Sequence, residues 1–393
     1  MWCFPYRASK KRTVIIKTNL LERETRINKE IKTLTDNGYL VTFLGWDRGF
    51  KTSMSERRKA GDFYKEIRLR LKAPWGIKIL LFLPIWWCFV FFWLTVTRWD
   101  IAHAGEFASI PPTVVAGKLK RKPVIYEILD VYEDEIALPK VIRNICIKID
   151  RVFMRLANSV VLADEAQIEE VGGFPNSKIV TIYDSPPDTF GRANISHRRN
   201  GKFTLFFAGL LSSTRALNLD KVFTAIKGIE GVKVIIAGYS DYSDYGDLVE
   251  KIKELVREMP DKIQFIGEIT HAEVLERSAR ADLLFVLRDP IVPVNKYICG
   301  SKVLEAMMCG TPILVNKGTS TANKVREEKC GLVVDANNIE EIKEAIIRLR
   351  DNPELCEELG ANGRKAYEKR YSWEIMERRL LALYHELTGE VGK

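Results

Sequence analysis

The chain is poor in the residues from which metal and redox sites are built. It has 393 residues but only four histidines, so a His-rich metal site is not expected; the expectation is a chain with no metal and no cofactor. Its seven cysteines, Cys3, Cys88, Cys146, Cys299, Cys309, Cys330 and Cys356, are odd in number and scattered. None forms a CxxC or stands at zinc spacing from a histidine, and they read as reduced thiols of a cytosolic protein. Neither a G-x-G-x-x-G nor a P-loop is present, which excludes an obvious nicotinamide enzyme or P-loop nucleotidase. Low-complexity tracts and short repeats are also missing. The opening MWCFPYRASKKR is polar and basic, without the apolar core of a secretory leader. Asp241-Tyr242-Ser243-Asp244 reads as a turn rather than a metal-binding acidic pair.

Positive charge is plentiful and unevenly placed. The net charge is +9, and the first hundred residues hold 20 Lys/Arg against 9 Asp/Glu. Such a quarter calls for an anionic partner, nucleic acid or a membrane surface. Nucleic acid is disfavoured, because the basic residues flank an apolar stretch instead of interleaving with stacking aromatics. That stretch, Ile79–Thr97, is uncharged between Lys78 and Arg98. As a helix it would measure about 28 Å, near the thickness of a bilayer core. The strand-like runs on either side, Thr13–Thr18 and Asp100–His103, argue against a crossing if they share one sheet. The expectation is a membrane-associating helix in the interfacial plane, with a buried helix and a true span as alternatives. Trp75, Trp86, Trp87 and Trp93, with Arg57, Arg58, Lys59, Arg68, Arg70, Lys72 and Lys78, give the paired apolar and cationic signals of peripheral attachment. The expected location is cytoplasmic, peripheral or monotopic on the inner face of the cell membrane, with an anionic membrane surface as partner.

Length predicts two domains. Apolar strand-like runs alternate with helical periodicity, the pattern of an α/β architecture with parallel sheets. A first series holds Thr13–Thr18, helix Arg26–Asn37, Leu40–Leu44, Asp100–His103, Pro123–Ile128, helix Ile142–Ala157, Ser159–Leu162 and Ile179–Ile182. Ser185–Arg199, with prolines, glycine and polar residues, reads as a linker. A second series runs from Phe203–Ala208 to Pro312–Val315. The reading is two Rossmann-like domains, residues 1–190 and 200–370, followed by a C-terminal helix in 371–393. The ligand is expected in the cleft between the two domains, at the C-terminal strand ends.

Two segments carry chemistry. A strand ends at Ala208-Gly209-Leu210, with Arg215 beyond it. Glycine at a strand–helix turn lets a phosphate approach the backbone, and arginine adds a charge-assisted contact. Downstream, Asn295–Val315 reads NKYICGSKVLEAMMCGTPILV, a loop with Gly300 and Ser301 leading into a helix with Lys302 and Glu305. His103, a lone histidine ending a strand, reads as structural.

This second segment resembles the retaining glycosyltransferases of family 4, which have the two-domain GT-B fold. Their helix glutamate accepts hydrogen bonds from the nucleotide ribose, and Glu305 matches it; two vicinal hydroxyls suit the two oxygens of a carboxylate. Glu24-Thr25-Arg26-Ile27, Asp100–His103, Tyr126–Asp134 (YEILDVYED), Ile182–Asp188 (IYDSPPD), Phe207–Arg215 and Tyr371-Ser372-Trp373 resemble further family motifs in order. The resemblance implies that the last helix crosses back onto the N-terminal, acceptor-side domain. Two positions depart from it. Tyr297 stands where many members have a glutamate eight residues before the ribose glutamate. Leu129 stands where many have a histidine, and Glu127, Asp130, Glu133 or Asp134 would substitute, Asp130 being preferred. The implied function is retaining transfer of a sugar from a UDP- or GDP-sugar to a lipid-linked or glycan acceptor. Asp130 and Arg215 are the expected catalytic residues, and Gly209, Tyr297, Gly300, Ser301, Lys302 and Glu305 the expected substrate-binding ones. A non-catalytic nucleotide-sugar-binding partner is the alternative.

Overall fold

A computed structural model describes residues 10–49, 64–74, 76–129, 139–173, 178–191, 201–211, 217–239 and 246–389. The chain forms two compact units, one of residues 1–182 and 377–393, the other of residues 183–376. Each is a parallel sheet with helices.

The first unit has seven strands in the order β3-β2-β1-β4-β5-β6-β7. These are β1 (Arg12–Ile16), β2 (Leu40–Asp47), β3 (Tyr64–Arg70), β4 (Ile101–Gly105), β5 (Val124–Ile128), β6 (Ser159–Leu162) and β7 (Lys178–Thr181). All pairings are parallel, with Val14 opposite both Thr42 and Ala102. The central strands β4, β5 and β6 are buried at every position, as expected of a sheet covered on both faces. β3 lies outside the sequence-based expectation. Its YKEIRLR is largely half-buried at the sheet edge, so charged side chains interrupt the apolar signal.

The apolar stretch departs from expectation in length. A 3-10 segment, Gly76–Leu81, precedes an α-helix confined to Leu83–Val96, with Pro84 in its first turn. The fourteen helical residues span about 21 Å at the usual rise, short of a bilayer core. Among the described residues no helix is long and apolar enough to cross a membrane. Leu83, Trp86, Val90 and Leu94 form the face buried in the core. Trp86 stacks on Trp46 with ring centroids 5.7 Å apart, a contact worth about 0.5–1.5 kcal/mol beyond its buried area.

The second unit has six parallel strands, β10-β9-β8-β11-β12-β13. They are β8 (Phe203–Leu210), β9 (Val232–Tyr239), β10 (Ile263–Phe265), β11 (Leu283–Val286), β12 (Ile313–Asn316) and β13 (Gly331–Val334). Sequence order reverses between β8 and β11, which places a crevice at their carboxyl ends. The boundary at Ile182/Tyr183 lies upstream of the expected linker for a local reason. Asp188 is clamped by Arg364 at 2.5 Å, and the Tyr367 hydroxyl donates to the Pro186 carbonyl at 2.8 Å. Residues 192–200 of the expected linker lie outside the described ones. The last helix, Trp373–Leu387, begins in the second unit and ends in the first. There Tyr384 is fully buried beside His103.

Candidate functional site

In the second unit the carboxyl end of β8 meets the helix Ser301–Cys309. The strand ends in register with β9 at two glycines, Gly209 opposite Gly238. A Cβ on Gly209 would lie 2.5 Å from Lys302 Nζ and 2.7 Å from its Cε. The missing side chain is therefore what admits the lysine to the turn. The ammonium lies 5.6 Å from the centroid of the Phe207 ring, a face that attracts cations. Gly300 is the N-cap and contributes no capping side chain, so the positive end of the helix dipole, with Ser301 as first residue, is kept for an anion.

Lys302 and Glu305 stand three residues apart and share a helix face. The Glu305 side chain is 12% exposed, and one oxygen lies 3.3 Å from His271 Nε2. His271 opens the helix His271–Arg280, whose start is fixed by a capping box of Thr270 and Glu273. A small cavity lined in part by Phe207, Ser278, Phe285, Lys302 and Glu305 adjoins the pair. An ammonium at a glycine turn and a carboxylate one helical turn away can hold a phosphate and a diol.

Two residues here are absent from the sequence-based expectation. One is His271. The other is Arg288, just beyond β11, whose guanidinium would lie 3.4 Å from a Cβ on Gly300. The only signal available for either was position, at a helix start and at a strand's carboxyl end. Tyr297 is half-buried, and its hydroxyl accepts from Lys296 Nζ at 2.8 Å. Asp130 and Arg215, the two expected catalytic residues, lie outside the described residues, as do Glu133 and Asp134. Leu129 is half-buried, with its carbonyl accepting from Gln167 Nε2 at 3.3 Å.

Gly209→Ala is expected to weaken binding of a phosphate-bearing ligand at this turn about tenfold, the order lost with one charge-assisted contact. It should also cost about 1–3 kcal/mol of stability, because φ is +156° at this position. If the lost affinity comes from displacing the ammonium, adding Gly209→Ala to Lys302→Met lowers affinity no further. Additive losses in calorimetric titrations of the double variant would show that the turn acts without the lysine.

The first unit holds a different polar cluster. Arg26 Nε donates to Glu127 at 2.7 Å and to Glu30 at 3.1 Å, and its Nη1 donates to the Ile182 carbonyl at 2.5 Å. His103 Nδ1 lies 3.0 Å from the Tyr384 hydroxyl, and Nε2 lies 3.4 Å from Glu127. Burial lowers the pKa of His103, so the ring is neutral. Burial alone would raise Glu127, but the charge of the Arg26 guanidinium outweighs it and holds the carboxyl at about 2. Burial, then the neighbouring Glu127 charge, push Glu30 well above the usual range, so it keeps its proton. Glu127 therefore does not substitute for the missing family histidine, because its charge is committed to Arg26 and the side chain is fully buried. Glu30, His103 and Glu127 cluster closely enough to suggest metal ligands, but the Arg26 guanidinium already supplies the cation between the two carboxyls.

At the carboxyl ends of β1 and β4, where strand order reverses in this unit, a second set of polar side chains gathers. Glu106, at φ +75°, accepts from the Thr18 amide at 2.6 Å and from the Thr18 hydroxyl. Lys17 pairs with Glu24 at 2.5 Å. Burial raises the Glu106 carboxyl, against the opposing pull of Lys17.

Residues 192–366 match the family model of glycosyl transferases group 1. Over 131 residues the chain is 30% identical to a GDP-mannose-dependent monoacylated alpha-(1-6)-phosphatidylinositol monomannoside mannosyltransferase of Corynebacterium glutamicum, covering 33% of this chain and 34% of that one. A phosphatidyl-myo-inositol mannosyltransferase of Mycobacterium leprae is 23% identical over 62% of each chain. The chain thus spans about a third of the first of these relatives and under two thirds of the second. Among solved structures, sucrose-phosphate synthase from Thermosynechococcus elongatus superposes with TM-score 0.75 at 18% identity, covering 97% of this chain and all of that one. Anabaena HepE in complex with UDP gives 0.73 at 13%, covering 96% and 100%. The second unit, which holds the Gly209–Lys302–Glu305 geometry, thus contains the stretch, residues 192–366, that is similar to the glycosyl transferases group 1 family.

Proposed function

We propose that the chain transfers a sugar from a nucleotide-diphosphate sugar to a lipid-linked or glycan acceptor, with retention of configuration at the anomeric carbon. The observation that carries the reading is the shared helix face of Lys302 and Glu305, one reaching the Gly209 turn and the other beside His271. Glu305 would accept from the two ribose hydroxyls. Lys302 and the amide end of its helix would hold the diphosphate. As the bond from the anomeric carbon to the phosphate oxygen breaks, negative charge grows on the leaving group, where a fixed cation stabilises the transition state more than the ground state. The acceptor oxygen bonds to the anomeric carbon on the same face. Its proton passes to the leaving phosphate oxygen or to a carboxylate, for which Asp130 is the candidate. Lys302, the helix end and Arg215 make a metal unnecessary. The relatives named for GDP-mannose and the neighbour bound to UDP support both bases as donors. The phosphatidylinositol in the relatives' names supports a lipid-linked acceptor; the chain would meet it at the cytoplasmic face of the membrane.

The test is turnover of a panel of UDP- and GDP-sugars with lipid acceptors. Glu305→Ala should raise the donor KM about tenfold to a hundredfold, the effect of losing two hydrogen bonds to a charged group, with a smaller change in kcat. Unchanged kinetics would remove Glu305 from the site. Tyr297 and Leu129 favour a second reading, a binding partner without turnover. Calorimetry showing tight donor binding, with no turnover on any acceptor, would select it.

A further inference from the structure

We propose that three helices of the first unit form one membrane-docking face, and that its partner is the surface of an anionic phospholipid bilayer. The helices Leu83–Val96, Ile110–Lys120 and Lys140–Leu156 lie side by side, the second packed against both others. Their inner faces enter one core cluster through Trp86, Val114 and Met154. Their outer faces are mainly apolar and cationic. On the first helix and the turn before it, Leu81, Ile85, Cys88, Phe92 and Val96 are exposed at helical spacing. Leu81 is 78% and Phe92 67% exposed. The middle helix adds exposed Val115 and Leu119 beside Lys118, with Arg121 just past its end.

The third helix is the more telling one, because sequence hydropathy gives it no membrane signal. Its exposed apolar residues are Val141, Ile145, Val152 and Leu156. Its other exposed residues are Lys140, Arg143, Lys148, Arg151, Arg155 and Asn144. Its one acidic residue, Asp150, is buried and accepts from the Tyr126 hydroxyl at 2.6 Å. No acidic side chain is exposed on any of the three helices.

This pattern selects the partner. A contiguous apolar surface needs cover. A second copy of the chain is a poor cover, since a two-fold pairing would set one cationic face against another. Apolar side chains among cations that can extend to the headgroups suit an anionic interface, which an amphipathic surface enters by about 5–10 Å. With their inner faces in the protein core, the helices would lie on the bilayer and not span it. The inference does not depend on the transferase reading, because it concerns a different surface.

The test is flotation of the full chain with vesicles of phosphatidylcholine alone and of equal parts phosphatidylcholine and phosphatidylglycerol. Binding to the mixed vesicles should exceed binding to phosphatidylcholine alone and fall with salt. Lys148→Gln/Arg151→Gln should lower the partition coefficient about thirtyfold, from the usual contribution of each basic residue near such a surface. Phe92→Ser/Ile145→Ser should lower it at least about tenfold, with the thermal unfolding of both variants unchanged. Mixed-vesicle binding untouched by both pairs would overturn the proposal. So would equal binding to both vesicles, or a dimer in light scattering that Phe92→Ser dissolves. A chain that floats but turns over no donor would fail only the transferase reading. One that glycosylates a soluble acceptor but never floats would fail only this one.

Discussion

Glu127→Gln is expected to destabilise the first unit by about 3–5 kcal/mol, whereas Glu30→Gln, in the same cluster, should change its stability by less than about 1 kcal/mol. The two carboxyls face one guanidinium, and both are fully buried. Removing the charge from Glu127 takes away the ionised partner of Arg26, and Glu30, 3.1 Å from the guanidinium, must give up its proton in a fully buried site to replace it, so breaking the pair is costly. Glu30 keeps its proton, so an amide of similar shape replaces a group that is already neutral. The pH dependence separates them as well. Glu127 sits at about 2 in the folded chain, below its usual 4.5. Its contribution is complete above about pH 4.5 and is lost as pH falls towards 2. Glu30 is raised, so the unfolded chain releases its proton first, and stability falls as pH rises above 4.5. Glu30→Gln should flatten that alkaline loss, and Glu127→Gln should remove the acid one. Urea titrations followed by tryptophan fluorescence across pH, fitted unit by unit because two units need not unfold together, would measure both. Equal losses from the two substitutions would show that the proton does not reside on Glu30.

That cluster also shows where sequence reasoning stopped. VIYEI reads as a continuous strand, so Glu127 had to lie inside, yet its partner Arg26 is 101 positions away with nothing local to announce it. Periodicity located the buried strands well, because β8 and β12 are apolar on both faces. It missed β3, where Lys65, Glu66, Arg68 and Arg70 alternate into the pattern. It also overextended the apolar helix, since hydropathy does not distinguish a 3-10 entry and Pro84 from regular α-helix. In the second unit Lys302 and Glu305 were legible because they lie on one helix at fixed spacing. His271 and Arg288 come from other elements, and only folding brings them to Glu305 and Gly300. Helix Lys140–Leu156 was read as helical from its period, but which of its faces meets water depends on what packs beneath it.

Lys302→Met should reduce kcat about 100- to 1000-fold, with a smaller effect on donor KM. The magnitude is that of removing one fixed donor from a site of developing negative charge. The split follows from timing, since the ammonium matters most when the diphosphate is leaving. Lys302→Arg should not restore the rate. The slot exists because Gly209 has no side chain, and the ammonium occupies it within 2.5 Å of where a Cβ would be. A planar guanidinium is wider than the ammonium and would have to leave that slot or push β8 aside. Donors with better leaving groups should suffer less from Lys302→Met, because less charge then needs stabilising at the transition state. A rate loss independent of the leaving group, or recovered by arginine, would mean that Lys302 positions the donor without stabilising its departure. If the chain binds donors without turning them over, the same substitution would appear only as weaker binding. Measuring kcat, KM and binding together on Lys302→Met therefore distinguishes the enzyme from the binding partner at the residue where the two readings differ most.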